Sequence, residues 1–211
     1  YGTDAPDTQA FGVNNGHWDT NWDNGTGGAG SNQGYGHALP QVYGEVAYGN
    51  LSAKVGKFFT IIGQEVVAAT GNFFYSRQFT FYNAEPFTHT GALTNYKIDD
   101  DTSVWNGYVL GWDSGFEDNG DAYLGGFSRT LNDYQSFIFT TAMGRFNRRL
   151  GAAEDGEIYS TILTTSLTDN LKHIVQTDFL DTDARNTYGN IHYLIYTMSD
   201  CLAVGQRFEY F

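Results

Sequence analysis

Charges of both signs crowd one stretch of this chain: Lys57, Glu65, Arg77, Glu85 and His89 lie in or beside the segment 62–86. Two more, Arg207 and Glu209, stand at alternate positions near the end. Such a set is better suited to making fields than to making bonds. Where it lines water, groups of opposite sign set a local field and sort solutes by charge and size. The same groups can instead anchor a loop through ion pairs, and spacing alone leaves both readings open.

Covalent and metal chemistry find less support. Ser76 and His89 are the nearest nucleophile and base, and a hydrolase would need a third group converging with them at one rim. No GxSxG elbow and no phosphate-binding GKS/T loop occurs. The histidines (17, 37, 89, 173 and 192) are scattered and form no i, i+4 pair. Asp19, Asn21 and Asp23 in DTNWDNG look like the first half of a calcium loop. The glycine is displaced by one position, and Gly30 stands where a closing Glu belongs. The acidic runs 99–101 and 117–121 read as turns. Arg145, Arg148 and Arg149 form a small basic group suited to a solvated loop or to lipopolysaccharide phosphates. No cofactor is expected.

Positioning these residues falls to strands. The 211 residues include 26 Gly, 15 Tyr, 16 Phe and 4 Trp but only 3 Pro, a composition that suits many β-strands. Mean hydropathy is −0.38, and no run approaches the roughly 18 apolar residues of a spanning helix. The net charge of −13 disfavours nucleic acid as a partner. The single cysteine, Cys201, rules out an intrachain disulfide. The length sets one domain, 1–211, as the expectation. Tyr1 opens inside what reads as the tail of a strand, so further strands are expected beyond one or both ends.

Ten segments carry strand-like patterns: 39–49, 52–61, 87–98, 102–113, 121–131, 134–146, 157–167, 171–181, 188–198 and 201–211. Each is long enough to cross a bilayer when tilted. Short connectors alternate with long ones (12–38, 62–86, 114–120, 147–156 and 182–187), the rhythm of an up-and-down barrel. The two-residue period supports this. Leu202, Val204, Phe208 and Tyr210 oppose Gly205, Arg207 and Glu209; Leu171, Val175 and Phe179 oppose Lys172, Gln176 and Asp178; Val42, Val46 and Tyr48 oppose Gln41, Tyr43 and Glu45. The pattern blurs in 134–146, where aromatics fall on both faces. Tyr48, Phe58, Phe59, Trp112, Phe116, Tyr188, Phe208 and Tyr210 lie near strand ends, as an interfacial girdle requires. The segment 62–86 carries five aromatics between Phe73 and Phe81 and no helical period. It is expected to fold back against the inside wall of the barrel.

Several stretches also resemble a bacterial outer-membrane family, the second β-barrel porin family of OmpL-like type. They are GKFFTIIGQEVV at 56–67, NFFYS at 72–76, NAEPFTHTG at 83–91, GYVLGWDSGFEDNG at 107–120, LGGFS at 124–128, TDNLKHIVQTDFLDT at 168–182 and YTMSDCLAVGQRFEYF at 196–211. Their order and spacing cover nearly the whole chain. The resemblance implies a barrel and passive transport, in the outer membrane of a Gram-negative bacterium, without specifying the solute.

The expectation is therefore an all-β, antiparallel, up-and-down transmembrane β-barrel, with about ten strands visible and a larger even number in the whole. Its function would be a porin passing small hydrophilic solutes or ions, with no enzymatic step. Its partners would be outer-membrane lipid, lipopolysaccharide and, as the resemblance implies, further copies in a homotrimer. The alternatives are a barrel-type hydrolase and a structural or adhesive barrel with a plugged lumen.

Overall fold

A computed structural model describes residues 20–21, 36–113, 120–146 and 154–211. Two short strands, β1 (Thr20–Asn21) and β2 (Gly36–His37), pair with each other. Ten longer strands form one sheet: β3 (Val42–Tyr48), β4 (Leu51–Phe59), β5 (Thr88–Lys97), β6 (Thr102–Val109), β7 (Ala122–Asn132), β8 (Gln135–Phe146), β9 (Glu154–Ser166), β10 (Leu171–Thr182), β11 (Asn186–Ser199) and β12 (Leu202–Tyr210). Every strand is antiparallel to its neighbour in sequence, and the order runs β3 to β12 without a crossover. This is the expected up-and-down sheet. β3 and β12 end it and do not pair with each other among the described residues.

Short turns alternate with long connectors, as the sequence pattern requires, with one exception. Only 183–185 separates β10 from β11, because Thr182 Oγ1 accepts from the Arg185 amide at 3.0 Å and closes a tight turn. β6 also stops at Val109 rather than at 113. Asp113 adopts φ +52° and turns its carboxylate to accept from the Phe87 and Thr88 amides at 2.7 and 3.0 Å. No helix among the described residues is long and apolar enough to cross a membrane.

The ladder fixes which residues share a face. Phe58 pairs with His89, Val109 with Ala122, Ala142 with Ile158, Ser160 with Asp178, and Tyr193 with Arg207. Alternate residues along each strand belong to the opposite face, so every strand carries the same two-sided pattern. The first face is the inner one. It holds an apolar cluster of Phe58, Leu93, Val109, Leu124, Ile158 and Leu180, joined by Ile62 and Ala84 from the connector 60–87. The other face exposes Val46, Val55, Tyr108, Phe127, Phe179, Val204, Phe208 and Tyr210. The blurred stretch in β8 resolves in the same way: Phe137 and Phe139 take the outer face, and Phe146 turns inward to stack on Trp112 at 4.5 Å.

One expectation needs correction. Phe58 and Trp112, read as girdle aromatics, are buried inside, because the connector supplies an apolar surface for them. The apolar cluster between β4 and β10 is closed to solvent. Of the other girdle candidates, Tyr48, Tyr188, Phe208 and Tyr210 are exposed, whereas Phe116 lies outside the described residues.

The sheet is strongly curled, which simple lengths require. Laid flat, β4 and β12 would stand about 38 Å apart across eight strand spacings. The six residues from Phe59 to Glu65 stretch at most about 21 Å. Across a flat sheet Glu65 could not reach β12 even with both side chains extended, yet it meets Arg207 there at 2.6 Å. Glycines permit the bend: Gly56 and Gly91 face each other with φ +131° and +156°. A Cβ on Gly56 would lie 2.3 Å from the Val42 carbonyl oxygen, and one on Gly91 would lie 2.3 Å from that of Tyr108. Strands approach too closely here for any side chain.

Candidate functional site

The connector 60–87 leaves β4, crosses the inner face of the sheet and returns to β5. It is not wholly irregular, as the lack of helical period suggested. It contains a 3-10 turn, Ala69–Gly71, and a single α-turn, Phe79–Asn83. Its own side chains brace it. Asn72 accepts from the Val66 amide at 2.9 Å and donates to the Val66 and Ala68 carbonyls at 2.8 and 3.2 Å. Arg77 donates to the Val66 and Val67 carbonyls at 2.5 and 2.6 Å and covers the Phe81 ring at 4.9 Å.

The far strands hold it down. Arg207 on β12 donates to Glu65 Oε1 at 2.6 Å, to the Ser76 carbonyl at 2.7 Å and to the Arg77 carbonyl at 2.9 Å. Two residues on, Glu209 accepts from the Phe79 and Thr80 amides, each at 2.6 Å, and from Thr80 Oγ1 at 2.7 Å. Those amides open the α-turn and have no partner within it, so a carboxylate satisfies both hydrogen bonding and the positive end of the peptide dipoles. Tyr193 on β11 donates its phenol toward Glu65 Oε1 at 3.1 Å and Gln78 Oε1 at 3.0 Å. Arg185 donates to the Asn83 carbonyl at 2.6 Å and pairs with buried Glu154 at 3.3 Å. Small residues make room: a Cβ on Gly205 would meet the Phe73 ring at 2.5 Å, and one on Gly189 would meet Thr80 Oγ1 at 2.4 Å.

At the centre stand two buried carboxyls, Glu85 on the connector and Asp178 on β10. Gln176 Nε2 donates to both, at 2.6 Å to Glu85 Oε1 and 2.7 Å to Asp178 Oδ2. Gln78 Nε2 adds a further bond to Glu85 Oε1 at 3.0 Å. Glu85 packs directly on Gly63, where a Cβ would fall 2.2 Å from its Oε2. Burial pushes the Glu85 carboxyl well above the usual carboxylate range, and the Asp178 charge pushes the same way.

A family model described as "Putative beta-barrel porin-2, OmpL-like" matches residues 1–211. The chain belongs to this family. No curated protein and no solved structure matches it. An all-β sheet of ten up-and-down strands, apolar on its outer face, is what a β-barrel porin family requires.

Within this porin-family sheet, Glu65, Arg77, Glu85, Arg207 and Glu209 converge on the connector and the inner wall. His89 is on the inner face but buried; its ring nitrogens meet Thr60 Oγ1 and the Gly111 carbonyl, each at 3.0 Å. Ser76 Oγ accepts from Arg207 at 3.2 Å. These are the contacts the structure gives to the two residues considered for hydrolysis. Lys57 is buried and pairs with Val42 and Thr90, at a position alternate to Phe58. Asn21 enters the short β1–β2 ladder opposite Gly36. Asp19 and Asp23 lie outside the described residues, as do Arg148 and Arg149, while Arg145 pairs with Asp121 at 3.8 Å.

Sequence reasoning missed Gln78, Gln176, Asp178 and Tyr193 as site residues. Gln176 and Asp178 are legible as the polar face of β10, but nothing singles them out from other lumen positions. Tyr193 is hidden among many tyrosines.

Proposed function

We propose that this chain is a porin of the bacterial outer membrane, passing small hydrophilic solutes or ions by diffusion, with no covalent step. One observation carries the reading: the connector is fastened across the inner face by charged groups of both signs while the outer face is apolar and aromatic. An outward apolar band suits lipid, and an inward strap narrows a barrel and lines it with fixed charge. Arg207 and Glu209 hold the strap against the wall, and the strap sets the width left for solutes. Conductance of the purified protein in a planar bilayer tests this. Stepwise ionic current supports the pore, and a silent membrane under all voltages argues against it.

A plugged, structural barrel is the second reading. It is favoured by the closed apolar cluster that Ile62 and Ala84 form with β4 to β10. In that case the intact protein passes no current, and variants that release the connector do.

A further inference from the structure

We propose that a groove on the outer face of β6, β7 and β8 holds one membrane aminophospholipid, with its phosphate at Arg129, its ammonium at the acidic turn 99–101 and an acyl chain along Val104, Phe127 and Phe139. The inference rests on the reading of the outer face as lipid-facing and is independent of conduction.

The first observation is a hollow in that face. Its volume is about 380 Å³, within the roughly 300–1,000 Å³ of small-ligand pockets. Val104, Tyr123, Phe127, Phe139 and Thr141 line it. The register explains its shape. Val104, Phe127 and Phe139 stand side by side on the three strands. The Phe127 ring lies against those of Phe137 and Phe139, at 5.8 and 5.9 Å. Two residues back along β7, Gly125 adds no side chain, and a Cβ there would collide with the Tyr123 hydroxyl. Tyr123 therefore lies down along the wall. Thr141, the β8 partner of Gly125, donates its hydroxyl to the Ile158 carbonyl at 2.7 Å and asks nothing polar of the hollow. From Tyr123 to Arg129 the wall runs about 20 Å along the strand, the reach of one extended acyl chain.

The second observation is charge at one end only. Arg129 lines the short-turn end of the hollow, opposite Thr102 at the start of β6. The next amide, of Thr130, donates to the Asp101 carbonyl at 2.9 Å, which seats the turn 99–101 beside it. The Asp101 amide, the Thr102 hydroxyl and, more weakly, the Arg129 charge hold the Asp99 carboxyl below its ordinary range. Asp100 pairs with Lys97 at 3.0 Å, while Asp99 and Asp101 are exposed. A cation and an acidic turn at the mouth, with an apolar floor behind, match a zwitterionic head group above hydrocarbon. Guanidinium suits phosphate through paired N–H donors. A primary ammonium offers three N–H donors to carboxylates, which a quaternary choline lacks. A purely anionic head group meets the acidic turn with repulsion.

The test uses the full chain folded in detergent. Phosphatidylethanolamine, phosphatidylcholine and phosphatidylglycerol with identical acyl chains are the probes, and native mass spectrometry counts the lipids retained. One phosphatidylethanolamine per chain should be held about tenfold more tightly than the other two. Glycerophosphoethanolamine, the head group without chains, should not compete. Arg129→Gln should weaken retention about tenfold, the scale of a lost hydrogen bond to a charged group. Val104→Trp, which fills the hollow, should abolish it. Both substitutions change outward side chains, and heat-modifiable migration checks that each variant folds. The proposal is overturned if the three lipids are held alike, if the head group alone competes, or if retention survives both variants. A chain that folds in detergent yet retains no phospholipid also overturns it and leaves the lipid-facing wall standing. Failure of the lipid-facing reading shows separately, as a chain that folds without detergent or lipid.

Discussion

Glu65 Oε1 accepts from Arg207 at 2.6 Å although 142 residues separate the two. One lies in the connector after β4, the other on β12 at the far end of the sheet. Their contact exists only because the sheet curls, and it makes the strap and the wall one unit. Both side chains are largely out of water. Removing one partner strands the other's charge, which costs more than the pair itself contributes.

Arg207→Ala should therefore lower stability by about 3 kcal/mol and loosen the connector. In planar bilayers the variant should show larger and noisier current steps than the parent. Unchanged single-channel conductance would show that the strap lies away from the conducting path.

Glu209→Gln keeps the size of the side chain but removes the charge that meets the Phe79 and Thr80 amides. The expected loss is about 1 kcal/mol, the scale of a lost helix cap. Thermal unfolding in detergent measures it. Combined with Arg207→Ala, the loss should be less than additive, because both residues hold the same segment.

Gly91→Ala puts a methyl group 2.3 Å from the Tyr108 carbonyl oxygen at a φ of +156°. The neighbour is backbone and cannot swing aside, so the strands must separate or straighten. Refolding yield, read as the heat-modifiable band, should fall severely. Normal yield would show that the bend at the Gly56–Gly91 pair is not needed for closure of the inner face.

Val204 and Ala203 are neighbours on β12 whose side chains take opposite faces, Val204 outward and Ala203 with the inner set. Arg at 204 should cost about 2–4 kcal/mol in a bilayer if it lies near the midplane, whereas Arg at 203 should be tolerated. Folding titrations into lipid vesicles compare the two. Equal costs would remove the basis for assigning the outer face to lipid.

The two faces of the sheet are legible in the strand pattern alone. The opposition of Val204 and Phe208 to Arg207 and Glu209, and of Val175 and Phe179 to Gln176 and Asp178, follows from the two-residue period of any strand. The ladder keeps that assignment across all ten strands. Turn chemistry is legible too, as at Gly49, whose φ of +56° lets β3 reverse into β4 in two residues. The partners inside are not. Phe58 stands near a strand end, where a girdle residue would, and only the connector's Ile62 and Ala84 make the inside apolar at that level.

The sequence by itself determined the strands and which side chains share a face, since these depend on near neighbours in the chain; the alternation of short and long connectors pointed to their order. The five aromatics between Phe73 and Phe81 already pointed the connector inward; tertiary structure alone decided that Glu65 meets Arg207. It also decided that Glu85 lies against Asp178. Those contacts join residues far apart in the chain, and they form only after the sheet has curved enough to bring β4 and β12 within reach of a single short segment.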